Sequence, residues 1–221
     1  MKYRAVIFDM DGVLVDSEHV ITAAAMRCLA EHGVQAREED FLPFRGTGED
    51  RFIGGVAAKY GLAYEVGMKH RTYEIYLTIV DQEIQTYPGI PELLTTLRAA
   101  GLRTAVGSSA DLVKVKANLP AAGISTGLFD TLVSGGDVTH KKPAPDLFLL
   151  AASRLGIASA DCLVVEDALS GIAAARAAGM DCLAVSSSFP PAELRAAGAL
   201  GVISQTWQLA GWLGLPEAAP A

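Results

Sequence analysis

The segment at residues 7–15 reads IFDMDGVLV, and it places Asp9 and Asp11 directly after an apolar run that is typical of a buried strand. Two carboxylates this close repel each other, and each costs several kcal/mol to remove from water unless something compensates its charge. The pair therefore indicates a bound cation, a mobile proton or a turn. The rest of the sequence has to decide among these three.

The composition favours a globular protein that binds a small soluble partner. The chain has 221 residues, 51% of them apolar, and a net charge of −7 without any block of Lys and Arg. Such a balance argues against nucleic acid and anionic membranes as partners, and no run of about 20 apolar residues predicts a membrane span. Three cysteines at spacings that fit neither a zinc site nor a redox pair predict reduced, structural thiols. We expect a cytoplasmic monomer.

The spacing of apolar residues divides the chain into two patterns. After a first strand within residues 3–8, helices are predicted at 17–32, 49–60 and 65–85, and no strand pattern occurs between Ser17 and Tyr87. From residue 87 onward, helices alternate with short apolar strands. These strands lie in LRTAVG, FDTLVS, DCLVVED, DCLAVS and ALGVIS.

Alternation of helix and strand predicts right-handed crossovers and an α/β fold with a doubly wound, parallel, Rossmann-like sheet. The helical block at residues 17–86 then becomes an insertion after the first strand. The predicted division is a core of residues 1–16 and 87–221 with an inserted helical domain of residues 17–86.

In a doubly wound sheet, ligands bind at the carboxyl ends of the strands, where the strand order reverses. The polar residues that follow the predicted strands there are Asp9, Asp11, Ser108, Ser109, Lys142 (within KKPAPD), Glu166 and Asp167. Carboxylates suit a hard cation such as Mg²⁺, whereas a lysine and hydroxyl groups suit a phosphoryl group. The set therefore predicts a site for phosphate and magnesium.

Each of these residues also has an ordinary structural interpretation. Asp11 and Gly12 form a common turn pair, and serines often cap helices. Lys142 is by default a solvated surface lysine, and Glu166 and Asp167 could simply begin a helix, where acidic residues are favourable. All of these explanations together, at the ends of successive strands, are much less probable than one functional site.

Four segments resemble the signatures of the haloacid dehalogenase-like superfamily. They are DMDGVLVDSE, the serine after the second core strand, KPAPD and VVEDALSGIAAARAAGM, and together they extend over about residues 5–184. A helical insertion between the first two signatures is similar to the subgroup that includes β-phosphoglucomutase and phosphoglycolate phosphatase. The resemblance implies a Mg²⁺-dependent phosphatase with a helical cap that acts on a small phosphorylated metabolite, such as a sugar phosphate.

The resemblance also implies a role for each core residue. Asp9 would attack phosphorus and form an aspartyl-phosphate. Asp11 would act as general acid and base, with its backbone carbonyl on the metal. Further metal ligands would be Asp167 and, directly or in an outer shell, Glu166. The phosphate oxygens would be held by Ser108, Ser109 and Lys142.

Substrate specificity is expected from the loop FRGTGED at residues 44–50 of the cap. Its candidate residues are Arg45, Gly46, Thr47 and Glu49. The mutase pattern has a histidine where this chain has Ile21 and an arginine where it has Glu49, so hydrolysis is preferred, and Arg45 or Arg51 would have to grip a second phosphate in a mutase. Asp11 argues against a haloacid dehalogenase. A non-catalytic module that only accepts a phosphoryl group is a further alternative.

Overall fold

The computed structural model describes residues 2–216, so residue 1 and residues 217–221 of the predicted core lie outside the described residues. The main feature is a six-stranded parallel sheet. Its strands are β1 (Ala5–Phe8), β4 (Arg103–Gly107), β5 (Thr131–Val133), β6 (Cys162–Glu166), β7 (Asp181–Val185) and β8 (Gly201–Ile203). They lie in the order β5–β4–β1–β6–β7–β8. The predicted α/β class with a doubly wound parallel sheet is confirmed.

Helices cover both faces of the sheet and form the insertion. They are α1 (Glu18–Glu31), α2 (Glu49–Lys59), α3 (Val66–Glu83), α4 (Ile90–Ala99), α5 (Leu112–Ala121), α6 (Asp146–Leu155), α7 (Leu169–Ala177), α8 (Pro191–Ala196) and α9 (Leu209–Trp212). The ends of α1, α2 and α3 fall within two residues of the helix ends predicted at 17–32, 49–60 and 65–85.

The alternation of side chains along β1 separates two hydrophobic clusters. Val6 and Phe8 pack on one face with α4, α5 and α9. Ala5 and Ile7 pack on the other face with α6, α7 and α8. Burial on both faces explains why the core strands are almost continuously apolar rather than alternating.

A third hydrophobic cluster joins α1, α2 and α3 within residues 17–86. Its largest fully buried side chains are Tyr76, Phe41, Leu29 and Ile53. The cluster gives these helices a core of their own, as the proposed cap requires. In the part of the chain that the structure describes, no helix has both the length and the apolar character needed to cross a membrane.

No strand pattern is visible in the sequence between Ser17 and Tyr87, but the structure has one short strand there, and the helix predicted at 65–85 ends at Glu83. Gln85–Thr86 forms strand β3, which pairs in antiparallel fashion with strand β2 (Val15–Asp16). Two residues are too few to show an alternating pattern, so the sequence carries no periodic signal for this ribbon. It lies where the chain enters and leaves the helical insertion.

The strand order reverses at β1. From β1 the chain proceeds to β4 and β5 on one side and then crosses to β6, β7 and β8 on the other. Residues that follow β1 therefore lie in the crevice where ligands of doubly wound sheets bind. Asp9 is the first of them.

Candidate active site

A cavity of about 460 Å³ lies between the carboxyl ends of the core strands and the helical insertion. The predicted core residues Asp9, Asp11, Ser108, Ser109, Lys142, Glu166 and Asp167 all line it. The insertion contributes Glu18, Ile21, Arg45, Gly46 and Glu49 among other residues. The structure thus brings together side chains that are up to about 160 positions apart in the sequence.

Lys142 joins the first and last acidic segments of the site. Its ammonium donates to Oδ1 of Asp9 and, at 2.7 Å, to Oε1 of Glu166. The two carboxylates are neighbours because β1 and β6 pair, and the amide of Asp9 donates to the carbonyl of Val165 at 2.9 Å. All three charged side chains are buried, so Lys142 is a component of the site and not a solvated lysine.

Glu166 is held at both carboxylate oxygens. Oε1 accepts from Lys142, and Oε2 accepts from the backbone amides of Asp167 and Ala168 at 2.8 and 2.7 Å. A side chain at Gly171 would collide with it, because a Cβ there would lie 1.7 Å from Oε1. Since its oxygens are occupied, Glu166 fits an outer position that orients Lys142 better than direct contact with a metal.

Asp167 is positioned by serines that follow β7. Ser188 donates to its Oδ2, and Ser187 lies 3.4 Å from the same oxygen and donates to the carbonyl of Gly12 at 2.6 Å. These serines were not among the predicted site residues. The available signal was their place directly after the predicted strand DCLAVS, at the same edge of the sheet as the other site residues.

Burial and the mutual repulsion of the negatively charged acidic side chains raise the pKa values of Asp9 and Asp167. Burial raises the pKa of Asp9 to about 7; Lys142 opposes this, and the carboxylates of Glu166 and Asp11 add to it. Burial, Glu166 and Asp9 raise the pKa of Asp167 well above its usual value. The positive charge of Lys142 therefore does not fully compensate the cluster, and a further cation would relieve it.

A magnesium ion fits this set of donors. Within residues 2–216, no group of three or more His, Cys, Asp or Glu side chains is arranged to hold a metal by side chains alone. Mg²⁺ is commonly bound by one or two carboxylates and keeps several waters. Asp9 and Asp167, which are both buried and both line the cavity, offer two carboxylates of that kind.

The two serines after β4 differ in their hydrogen bonds. The hydroxyl of Ser108 accepts from the amide of Ala110 at 3.1 Å, which leaves its proton available to a ligand. Ser109 is also buried, and its hydroxyl has no hydrogen-bond partner among the residues that the structure describes. Both line the cavity together with Lys142, so both can donate to an anion.

Helix α5 supplies two side chains to the site that the sequence interpretation missed. Lys114 donates to Oδ2 of Asp11 at 3.0 Å, and Asn118 donates to Oδ1 of Asp11 at 3.4 Å. Their spacing of four residues places them on one face of the helix, and this spacing was the available signal. Burial lowers the pKa of Lys114, but the nearby carboxylates of Asp11 and Glu49 raise it by a larger amount. The pKa of Lys114 therefore lies above its usual value.

The candidate specificity loop reaches the cavity at three of its four predicted positions. Arg45, Gly46 and Glu49 line the cavity, whereas Thr47 does not and donates to the carbonyl of Phe44 at 2.6 Å. The guanidinium of Arg45 is half-exposed, with Nε 3.5 Å from Oε2 of Glu18. Glu49 is buried.

The two positions that depart from the mutase pattern both lie at the cavity. Ile21 and Glu49 are buried and line it. Arg51, the other arginine considered as a phosphate grip, is exposed on α2 and is not among the lining residues.

Comparison with known proteins agrees with this geometry. The family model of haloacid dehalogenase-like hydrolases matches residues 3–179. The chain belongs to the haloacid dehalogenase-like hydrolase family, and it is an enzyme. The predicted family is thereby confirmed.

Three similar proteins illustrate the relationship. Protein SUPPRESSOR OF QUENCHING 1, chloroplastic, of Arabidopsis thaliana is 46% identical over 89% of this chain, which spans only 19% of that relative. Fructose-1-phosphate phosphatase YqaB of Escherichia coli is 32% identical over 83% of this chain and 97% of its own length. The crystal structure of CbbY from Rhodobacter sphaeroides in complex with phosphate superimposes with a TM-score of 0.80 at 25% identity, covering 94% of this chain and 96% of that chain.

Proposed function

We propose that this enzyme is a Mg²⁺-dependent phosphatase that hydrolyses the phosphomonoester of a small metabolite, with sugar phosphates as the favoured class. The observation that carries the proposal is the contact of Lys142 with both Asp9 and Glu166 at one cavity that also contains Asp11, Asp167 and two serines. The similarity to a fructose-1-phosphate phosphatase and to a structure with bound phosphate supports it.

Phosphoryl transfer would take place in two steps. A carboxylate oxygen of Asp9 attacks phosphorus while the bond to the leaving oxygen breaks, and the leaving oxygen takes a proton from the carboxyl group of Asp11. Water then attacks the aspartyl-phosphate and gives its proton to the Asp11 carboxylate. Inorganic phosphate departs, and Asp9 is regenerated.

The main obstacle to the first step is charge repulsion. Two like charges about 4 Å apart repel by roughly 4 kcal/mol at an effective dielectric constant near 20. Asp9, Asp167 and the backbone carbonyl of Asp11 would hold Mg²⁺, which would supply positive charge that offsets this repulsion. Ser108, Ser109 and Lys142 would bind the remaining phosphate oxygens and stabilise charge in the transition state.

Hydrolysis is preferred to phosphosugar mutase activity because of the cap residues. A mutase has to hold a second phosphate in the cap, but Glu49 is acidic and Ile21 cannot form a hydrogen bond. A module that only stores a phosphoryl group is also disfavoured, since Asp11 lies at the cavity and can promote dephosphorylation.

The domain division and the cellular setting belong to the same proposal. Residues 17–86 would act as the cap that selects the substrate over the core of residues 1–16 and 87–221. The thiols of Cys28, Cys162 and Cys182 are buried and form no disulfide bond, which supports a reducing compartment such as the cytoplasm. A monomer is proposed, with no nucleic acid or membrane as partner.

The test is release of inorganic phosphate from p-nitrophenyl phosphate with and without Mg²⁺, followed by a panel of phosphorylated metabolites. Phosphate release that requires Mg²⁺ and is fastest with a sugar phosphate would support the proposal. Absence of phosphate release from every compound in the presence of Mg²⁺ would contradict it.

A further inference from the structure

Three donors surround the carboxylate of Asp11. Lys114 contacts Oδ2 at 3.0 Å, Asn118 contacts Oδ1 at 3.4 Å, and the hydroxyl of Ser17 donates to Oδ1 as well. Contacts at both oxygens fix the plane of the carboxylate and not only its position. A group that has to transfer a proton to a substrate oxygen depends on such alignment.

Lys114 is an unusual residue to find in this place. Only 3% of its side chain is exposed, and it lines the cavity beside Asp11. A buried ammonium is costly unless a carboxylate compensates it, and buried ion pairs contribute little to stability compared with apolar packing. Structural stabilisation alone therefore explains the residue poorly.

Both α5 residues also contact the helical insertion. Oε1 of Glu49 lies 3.8 Å from Nζ of Lys114, and the hydroxyl of Tyr76 donates to Oδ1 of Asn118. The side chains that hold Asp11 are thus themselves held by residues of the segment that lies over the cavity. The orientation of the Asp11 carboxylate therefore depends, through Lys114 and Asn118, on where the helical insertion lies.

We propose that Lys114 and Asn118 are positioning residues that hold Asp11 in the orientation needed to protonate the leaving oxygen. The inference rests on the proposed phosphatase function. It assigns helix α5, in addition to the loops after the strands, to the active site.

The test compares leaving groups that differ in their need for a proton. p-Nitrophenolate leaves readily without protonation, whereas the alkoxide of fructose 1-phosphate or of glycerol 2-phosphate requires a general acid. The ratio kcat/KM covers the reaction up to the first irreversible step, which includes departure of the leaving group. It is measured with Mg²⁺ for the wild type, Lys114→Met, Lys114→Arg and Lys116→Met, the last being an exposed lysine on the same helix.

Lys114→Met should lower kcat/KM for the alkyl esters by about 100-fold or more, which is the lower end of general acid catalysis. The loss for p-nitrophenyl phosphate should stay below about tenfold, because the phenolate needs little protonation. Lys114→Arg should recover part of the alkyl activity, and Lys116→Met should leave both ratios unchanged.

Equal losses on aryl and alkyl esters, or unchanged or increased alkyl activity, would overturn the inference. A wild type that cleaves p-nitrophenyl phosphate but neither alkyl ester would do the same. Should Lys114→Met be unfolded by circular dichroism, Asn118→Ala decides by the same ratio. A wild type inactive on all three esters would overturn the proposed function itself, which separates the two failures.

Discussion

Oδ2 of Asp167 lies so close to Gly12 that a Cβ on the glycine would be 2.0 Å from it. Any side chain at this position must displace the Asp167 carboxylate or the loop that carries Asp11. The contact is therefore a direct steric link between the first and the last acidic segments of the site.

Gly12→Ala should lower phosphatase activity by about 100-fold or more by displacing a proposed metal ligand, since a shift of about 1 Å at a reacting centre can cost that much. Gly33→Ala is the matched control. Both glycines have φ +80°, but a Cβ at Gly33 would meet nothing within 4 Å. Activity and thermal unfolding are measured for both, and similar activity in the two variants would contradict a specific effect of Asp167.

Asp9→Asn should abolish activity and leave the fold intact, because it removes the charge of the nucleophile at almost constant size. Turnover of p-nitrophenyl phosphate and far-ultraviolet circular dichroism are the measurements. Retention of more than a few per cent of the wild-type rate, with contaminating phosphatase excluded, would refute the assignment of Asp9 as nucleophile.

Activity should require Mg²⁺, and Ca²⁺ should inhibit. Calcium accepts more oxygen ligands at longer distances, so it could bind both oxygens of Asp9 and hold the nucleophile out of line. Initial rates are measured after exhaustive chelation, after Mg²⁺ is restored and with Ca²⁺ in competition. Full activity of the chelated enzyme would argue against the metal role of Asp9 and Asp167.

β-Glucose 1-phosphate, if it is accepted, should yield glucose and inorganic phosphate. Glu49 would repel a second phosphate, and Ile21 cannot hold one. Phosphorus NMR follows both possible products in one sample, with a trace of glucose 1,6-bisphosphate added to start any mutase cycle. Glucose 6-phosphate formed faster than inorganic phosphate would show that mutase activity dominates and would direct attention to Arg45.

The parts of the molecule that the sequence predicts well are those governed by periodicity and by strand ends. The apolar runs before Asp9, Ser108 and Glu166 are short and continuous, as expected for strands buried on both faces, and the polar residues after them meet at one edge. Their placement on one cavity agrees with the prediction, while their individual roles stay predictions until the variants are measured.

Contacts made within helices and loops were harder to predict. Lys114 and Asn118 lie on a helix, where a lysine and an asparagine at i and i+4 usually face solvent. Their contact with Asp11 depends on how α5 packs beside it, which the sequence pattern does not show. Ser187 and Ser188 follow a predicted strand, but serines are common in loops and the pattern alone does not show which carboxylate they contact.

The pairing of Val15 with Thr86 and of Asp16 with Gln85 places the two chain connections of the helical insertion side by side. Because the two ends of the insertion lie next to each other, another segment with adjacent ends can replace it without changing the positions of Asp16 and Gln85. Chimeras in which residues 17–84 are replaced by the corresponding segment of a relative should therefore keep the fold of the core and acquire a new substrate preference. Full hydrolytic activity should need counterparts of Ser17, Glu49 and Tyr76 in the new segment, because these residues contact Asp11 and the two side chains of α5 that hold it. The ribbon thus marks where the segment can be exchanged, and the contacts to Asp11, Lys114 and Asn118 mark what the exchanged segment has to retain.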